Sequence, residues 1–142
     1  MNAKIIDVLD ILEKQSNLEK SRENDVPRDK RMLAITADTG KFFEILLKST
    51  MAENILEIGT STGYSTLWFA KAIQEKENKS IITIEENPDK VKRAQENFEK
   101  AGVSDFIKII NQNALEALQS ISEKNNSQKF DFIFIDADKE NM

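Results

Sequence analysis

A chain of 142 residues with 39% hydrophobic and 32% charged side chains has material for one buried core. A single domain over 1–142 is therefore expected, with 1–50 as a helical N-terminal segment and 51–142 as a core of alternating strands and helices. It has no cysteine and no histidine, which excludes disulfides, thiol nucleophiles and imidazole bases or ligands, so any base is Asp, Glu, Lys or Tyr. The net charge of −5 disfavours general nucleic-acid affinity. No apolar run approaches membrane-spanning length, and the first residues carry Lys4, Asp7, Asp10 and Glu13 instead of a secretory leader; a cytoplasmic protein without a membrane partner is expected.

Ile5, Val8, Leu9 and Leu12 recur at i, i+3, i+4 and i+7, the spacing of an amphipathic helix. A polar stretch from Gln15 to Arg31 follows, broken at Pro27; its basic cluster of Arg22, Arg28, Lys30 and Arg31 reads as a solvated loop. Phe42, Phe43, Ile45, Leu46 and Leu47 predict a second helix, capped by Thr36 or Asp38 with Gly40 near its start. From Asn54 on, strands over Ile55–Ile58, Ile81–Glu85, Phe106–Ile110 and Phe130–Ile135 alternate with helices, the signature of an α/β fold with a parallel sheet and crossover helices. The helix after the second strand has Asn87 as cap, Pro88 at its first position, Val91, Ala94, Phe98 and Ala101 as buried stripe, and Gly102 as stop. Asn113 opens a further helix over Ala114 to Ile121, whose Leu115, Leu118 and Ile121 are assigned to the core. Ser122 to Lys129 reads as a polar loop.

Chemistry concentrates where strands end. Ile55-Leu56-Glu57-Ile58-Gly59-Thr60-Ser61-Thr62-Gly63-Tyr64-Ser65-Thr66 reads as strand, glycine-pinned turn and helix start. Its glycines let backbone approach a ligand, and the helix start offers unpaired N–H groups. Glu57 would repel a pyrophosphate but attracts an ammonium and a sulfonium. The ligand that fits is S-adenosylmethionine rather than NAD, and Gly59 and Gly63, four apart around Ser61, depart from G-x-G-x-x-G. Glu85-Glu86 ends the next strand, 26 positions beyond Gly59 (85 minus 59), where a carboxylate can accept both hydroxyls of an adenosine ribose. The fourth strand runs into Asp136-Ala137-Asp138-Lys139, hard oxygen ligands and an amine at the sheet's rim, where a divalent cation can sit.

Taken together, Leu56 to Ser65, Thr83-Ile84-Glu85 and Phe132-Ile133-Phe134-Ile135-Asp136-Ala137-Asp138-Lys139 resemble the cation-dependent O-methyltransferases, the group of catechol and caffeoyl-CoA O-methyltransferases, over about Met32 to Met142. The resemblance implies a Rossmann-like, doubly wound, mostly parallel sheet of the class I S-adenosylmethionine-dependent methyltransferases. It implies Glu57, Gly59, Thr60 and Ser65 around the methionyl part of the cofactor, with Ile35 near that end, Glu85 on the ribose and Ala114 at the adenine. Asp136 would be the first ligand of a divalent cation, Mg²⁺ by preference, and Lys139 would handle the substrate proton. The acceptor implied is a catechol-like or other small hydroxylated aromatic; a tRNA hydroxyuridine is also compatible. The sequence stops before the strand that in the family brings an Asp-Asn pair to the metal, and Met142 stands where an aromatic is usual. A fold incomplete at the C-terminus is therefore expected, as is a homodimer through the exposed fourth strand. Alternatives are a non-catalytic cofactor-binding remnant and an NAD-dependent oxidoreductase. The latter typically needs a Tyr-x-x-x-Lys pair, and the sole tyrosine, Tyr64, lies at the turn.

Overall fold

The first helical stripe forms as its spacing predicts. In the computed structural model, which describes residues 3–21, 35–124 and 129–136, helix α1 (Ala3–Ser21) buries Ile5, Val8, Leu9 and Leu12. It continues to Ser21, into the polar stretch that begins at Gln15. Gln15, Glu19 and Lys20 are good helix formers, and Gln15 Nε2 donates to Glu19 Oε1 one turn on at 3.3 Å. The basic cluster from Arg22 to Arg31 lies outside the described residues.

Helix α2 (Ala37–Ser49) takes Thr36 as its cap, its side chain accepting from the Thr39 N–H at 3.2 Å. Asp38 falls in the first turn, where its charge favours the helix dipole. Then come β1 (Asn54–Ile58), α3 (Tyr64–Ile73), β2 (Ser80–Ile84), α4 (Pro88–Ala101), a 3₁₀ turn over Ser104–Phe106, β3 (Ile107–Ile110), α5 (Ala114–Lys124) and β4 (Phe132–Ile135). The predicted strands are present, each within two residues of its expected bounds. Asp131, just ahead of β4, accepts from the N–H groups of Glu53 and Asn54 at 2.8 and 3.0 Å, which ties β4 to the start of β1. Helix α4 uses Asn87, Pro88 and left-handed Gly102 as anticipated.

All strands are parallel, in the order β3-β2-β1-β4. Residues in register share a face, so Leu56, Ile82 and Ile133 look one way, as do Ile58, Ile84 and Ile135. Over Leu56, Ile58, Ile82 and Ile84 lies α5, packing Ala117, Leu118 and Ile121. The opposite face, with Ile55, Ile81 and Ile107, is covered by α3 and α4, with α1 and α2 completing the same core. On that face Phe43, Phe69, Phe132 and Phe134 meet edge-on, with centroids 5.0 to 5.7 Å apart. Helices on both faces of a parallel sheet make this a doubly wound α/β arrangement, as the resemblance implies.

One core assignment fails. Leu115 is 68% exposed, whereas Ala117 is fully buried. The stripe that meets the sheet is Ala114, Ala117, Leu118 and Ile121, at i, i+3, i+4 and i+7, and Leu115 sits about 100° to one side of it.

Candidate functional site

Parallel strands put their carboxyl ends on one rim. From β1 the chain moves outward to β2 and β3, then returns to place β4 on the other side of β1, which makes the rim above β1 and β4 a topological switch point, where open α/β sheets bind ligands.

The turn above β1 is held by backbone. Gly59 N–H and Thr60 N–H both donate to the Ile84 carbonyl, at 2.9 and 3.1 Å, and Gly63 N–H closes on the Thr60 carbonyl at 2.9 Å. Gly59, Ser61 and Gly63 have φ of 101°, 53° and 93°. The left-handed region costs an L-residue about 1–2 kcal/mol, and Ser61 is kept there by a second tie: its N–H donates to Glu85 Oε1 at 2.7 Å. Glu85 Oε2 accepts from Asn87 N–H at 3.0 Å, so this carboxylate links the turn, the end of β2 and the start of α4 while each oxygen retains a lone pair. Asn111, beyond β3, steadies the same corner by donating to the carbonyls of Glu85 and Glu86 at 2.9 and 3.0 Å.

Beneath the turn lies Glu57, with no exposed surface. Its carboxylate accepts from three hydroxyls: Ser65 Oγ on Oε2, and Thr66 Oγ1 and Thr83 Oγ1 on Oε1, the last at 2.8 Å. Thr60 Oγ1 is hydrogen-bonded to Thr83 Oγ1. Burial dominates the electrostatics and pushes the Glu57 carboxyl up to about 7. The three hydroxyls act against that rise, and the field of Asp136 adds to it.

Of the residues assigned from the sequence, Glu57, Gly59, Thr60 and Ser65 thus form one cluster, and Glu85 joins it through Ser61. Asp136 is drawn to the rim by its N–H on the Ile58 carbonyl at 2.8 Å. It is exposed, yet neighbouring atoms still desolvate its carboxyl and raise it above the ordinary value. Ile35 and Ala114 stand apart on opposite faces of the sheet. Ile35 packs against the main core and lines a cavity of about 250 Å³ with Glu13, Asp38 and Tyr64. Ala114 opens α5, where Asn113 Oδ1 accepts from the N–H groups of Leu115 and Glu116. Asp138 and Lys139 lie outside the described residues. Among the described residues no three Asp, Glu, His or Cys side chains converge on a metal position, so Asp136 alone does not make the expected cage. Thr66 and Thr83 stand inside the quoted motifs without a role of their own in the sequence reading. Thr83, a threonine inside an isoleucine run, suits a strand on propensity alone and announces nothing.

Comparison with known proteins bears on this site. The family described as O-methyltransferase matches residues 10–142. A catechol O-methyltransferase of Niastella koreensis is 38% identical over 107 residues, 75% of this chain and 47% of that protein. Caffeoyl-CoA O-methyltransferase 5 of Nicotiana tabacum is 36% identical over 126 residues, 88% of this chain and 52% of that protein. The structure of an O-methyltransferase from Bacillus cereus in complex with SAH superposes with a TM-score of 0.75 at 31% identity, covering 99% of this chain and 57% of that one. The chain spans about half the length of these relatives. With the family match over nearly its whole length, and the parallel sheet and turn geometry in agreement, the chain belongs to the O-methyltransferase family.

Proposed function

We propose that this chain carries the S-adenosylmethionine-binding half of an O-methyltransferase that methylates a hydroxyl of a small aromatic acceptor of the catechol or caffeoyl type. The observation that carries the reading is the buried Glu57 carboxylate under a glycine turn at the switch point, with a lone pair of Oε2 unused. A buried carboxylate with only hydroxyl partners and one acidic neighbour is complementary to a cation. The site fits the cofactor's cationic methionyl end and would repel a pyrophosphate, which, with the family match, argues against the oxidoreductase. Glu85, braced by the Ser61 and Asn87 N–H groups, presents its remaining lone pairs to ribose hydroxyls. Ile35 and Ala114 form walls toward the methionyl end and the adenine.

When bound, S-adenosylmethionine supplies a methyl group on a sulfonium. The chain's part in the transfer would be alignment: Gly59, Thr60 and Ser65 would hold the methionyl end in one position, so that the methyl group would be offered to the acceptor oxygen in a fixed orientation. The acceptor's proton leaves to a base, a role the resemblance gives to Lys139. Asp136 offers one carboxylate to a divalent cation; the described residues do not complete such a site, so no step is assigned to a metal.

Titration calorimetry should show S-adenosylmethionine or S-adenosylhomocysteine binding and no measurable NAD binding; the reverse order overturns the reading.

Assembly as a homodimer belongs to the same proposal. The outer side of β4 has no strand beside it among the described residues, and Ile133 and Ile135 are 55% and 57% exposed. Unpaired apolar edges recruit other chains. Light scattering should report a dimer or larger species that Ile133→Lys weakens; a clean monomer at high concentration counts against it.

A further inference from the structure

Thr66 and Thr83, both fully buried, deliver their hydroxyl protons to the same oxygen of Glu57. Thr83 reaches it because it stands beside Glu57 in the β1–β2 register, and Thr66 because it lies in the first turn of α3. A hydroxyl has one proton. With Glu57 ionised, Thr83 gives its proton to the carboxylate, and the bond between Thr60 and Thr83 is then donated by Thr60. The protons therefore all point one way, from Thr60 through Thr83, from Thr66 and from Ser65, onto a single carboxylate. Three of its four lone-pair directions are filled, and one on Oε2 remains. Among the described residues the charged group whose field reaches Glu57 is Asp136, beyond β4, and it has the same sign. Hydroxyls are thus the groups that sustain a negative charge here against burial.

We infer that Thr66 and Thr83 are positioning residues for the cationic end of the cofactor: their hydroxyls hold the Glu57 carboxylate ionised and in one orientation beneath the Gly59–Gly63 turn. Neither touches the ligand; each acts through Glu57. The inference rests on the cofactor reading above and adds a prerequisite to it, that the charge the ligand meets is maintained by residues from a neighbouring strand and the following helix. A purely space-filling role would need the shape of these side chains and not their protons.

Thr83→Val keeps the shape and removes the proton, while Thr83→Ser restores the proton on a smaller side chain. Binding of S-adenosylhomocysteine, measured by calorimetry from pH 6 to 8.5, should fall about fivefold for Thr83→Val at pH 7 and recover as pH rises, the midpoint moving up by about one pH unit; Thr83→Ser should bind like the unaltered chain. In the ligand-free protein, ¹³C NMR of the Glu57 carboxyl should show its titration midpoint moving upward in Thr83→Val. Thr66→Val gives the same pair of readouts should Thr83→Val fail to fold. Wild-type affinity and pH dependence in the valine variants, or an equal loss at every pH with the Glu57 titration unmoved, overturns the inference. Absence of binding by the unaltered chain overturns the cofactor reading instead, and the NMR titration then still decides whether the hydroxyls hold the charge.

Discussion

Glu57→Gln should flatten the fall in stability expected of the unaltered chain as pH rises from about 4.5 to 7. The ordinary carboxyl value is 4.5 and the folded value about 7, so the folded state binds the Glu57 proton more tightly than the unfolded chain. Stability from this group is fully present below pH 4.5, is lost as pH rises through 7, and changes no further once both states are ionised. A gap of that size corresponds to about 3 kcal/mol, a large share of a small domain's total. Asp136 is shifted the same way and less strongly, so the variant should keep a smaller residue of the effect. Urea unfolding at intervals from pH 4.5 to 8 makes the measurement; matching profiles for the two proteins would show that Glu57 is not the group responsible. The same variant should bind S-adenosylhomocysteine more weakly at pH 8, where Glu57 is ionised. On the cofactor reading proposed above, function at this rim is maintained against stability: a neutral group at position 57 would suit the core better at neutral pH, and the charge serves to meet the ligand's cation.

Gly63→Ala should destabilise the fold by about 2–5 kcal/mol, the sum of a left-handed backbone and an overpacked contact. Gly63 has φ 93°, and a Cβ built on it would lie 2.5 Å from Phe98 Cε1 and 2.9 Å from Phe98 Cζ. Phe98 is fully buried in the main core and has little room to retreat. This glycine therefore lets α4 pack against the start of α3, and its role is distinct from the close ligand approach that the turn's sequence suggests. Chemical denaturation should register the loss in midpoint with little change in slope. A variant as stable as the parent would mean that Phe98 moves freely.

Much of this architecture follows from short-range pattern. Helix α4 is punctuated by Asn87, Pro88 and Gly102, each acting through its own backbone preference, and the strands announce themselves as apolar runs between turn residues. Parallel pairing follows because only crossover helices separate them. The turn and its flanking carboxylates, Glu57 and Glu85, were likewise visible, since a charge at the end of an apolar run is conspicuous wherever the chain folds. Other features rest on what meets what in space. Leu115 and Leu118 are alike in sequence, and only the angle at which α5 lies on Leu56, Ile58, Ile82 and Ile84 turns Leu115 outward and Ala117 inward. Helix α1 outruns its apolar stripe because helix propensity and i,i+4 bonding carry polar residues that periodicity cannot register. Glu57, read from the sequence as a charge at a strand end, is fully buried and hydroxyl-bonded. Its proton affinity depends on Thr83, 26 residues away (83 minus 57), brought alongside by strand register, and on Thr66, aimed by the first turn of α3. The sequence by itself determined which residue types stand at the strand ends and hence the kind of ligand they suit. Only the tertiary structure decided which neutral neighbours surround each charge, because desolvation and hydrogen bonding are properties of the packed environment and not of the chain's order.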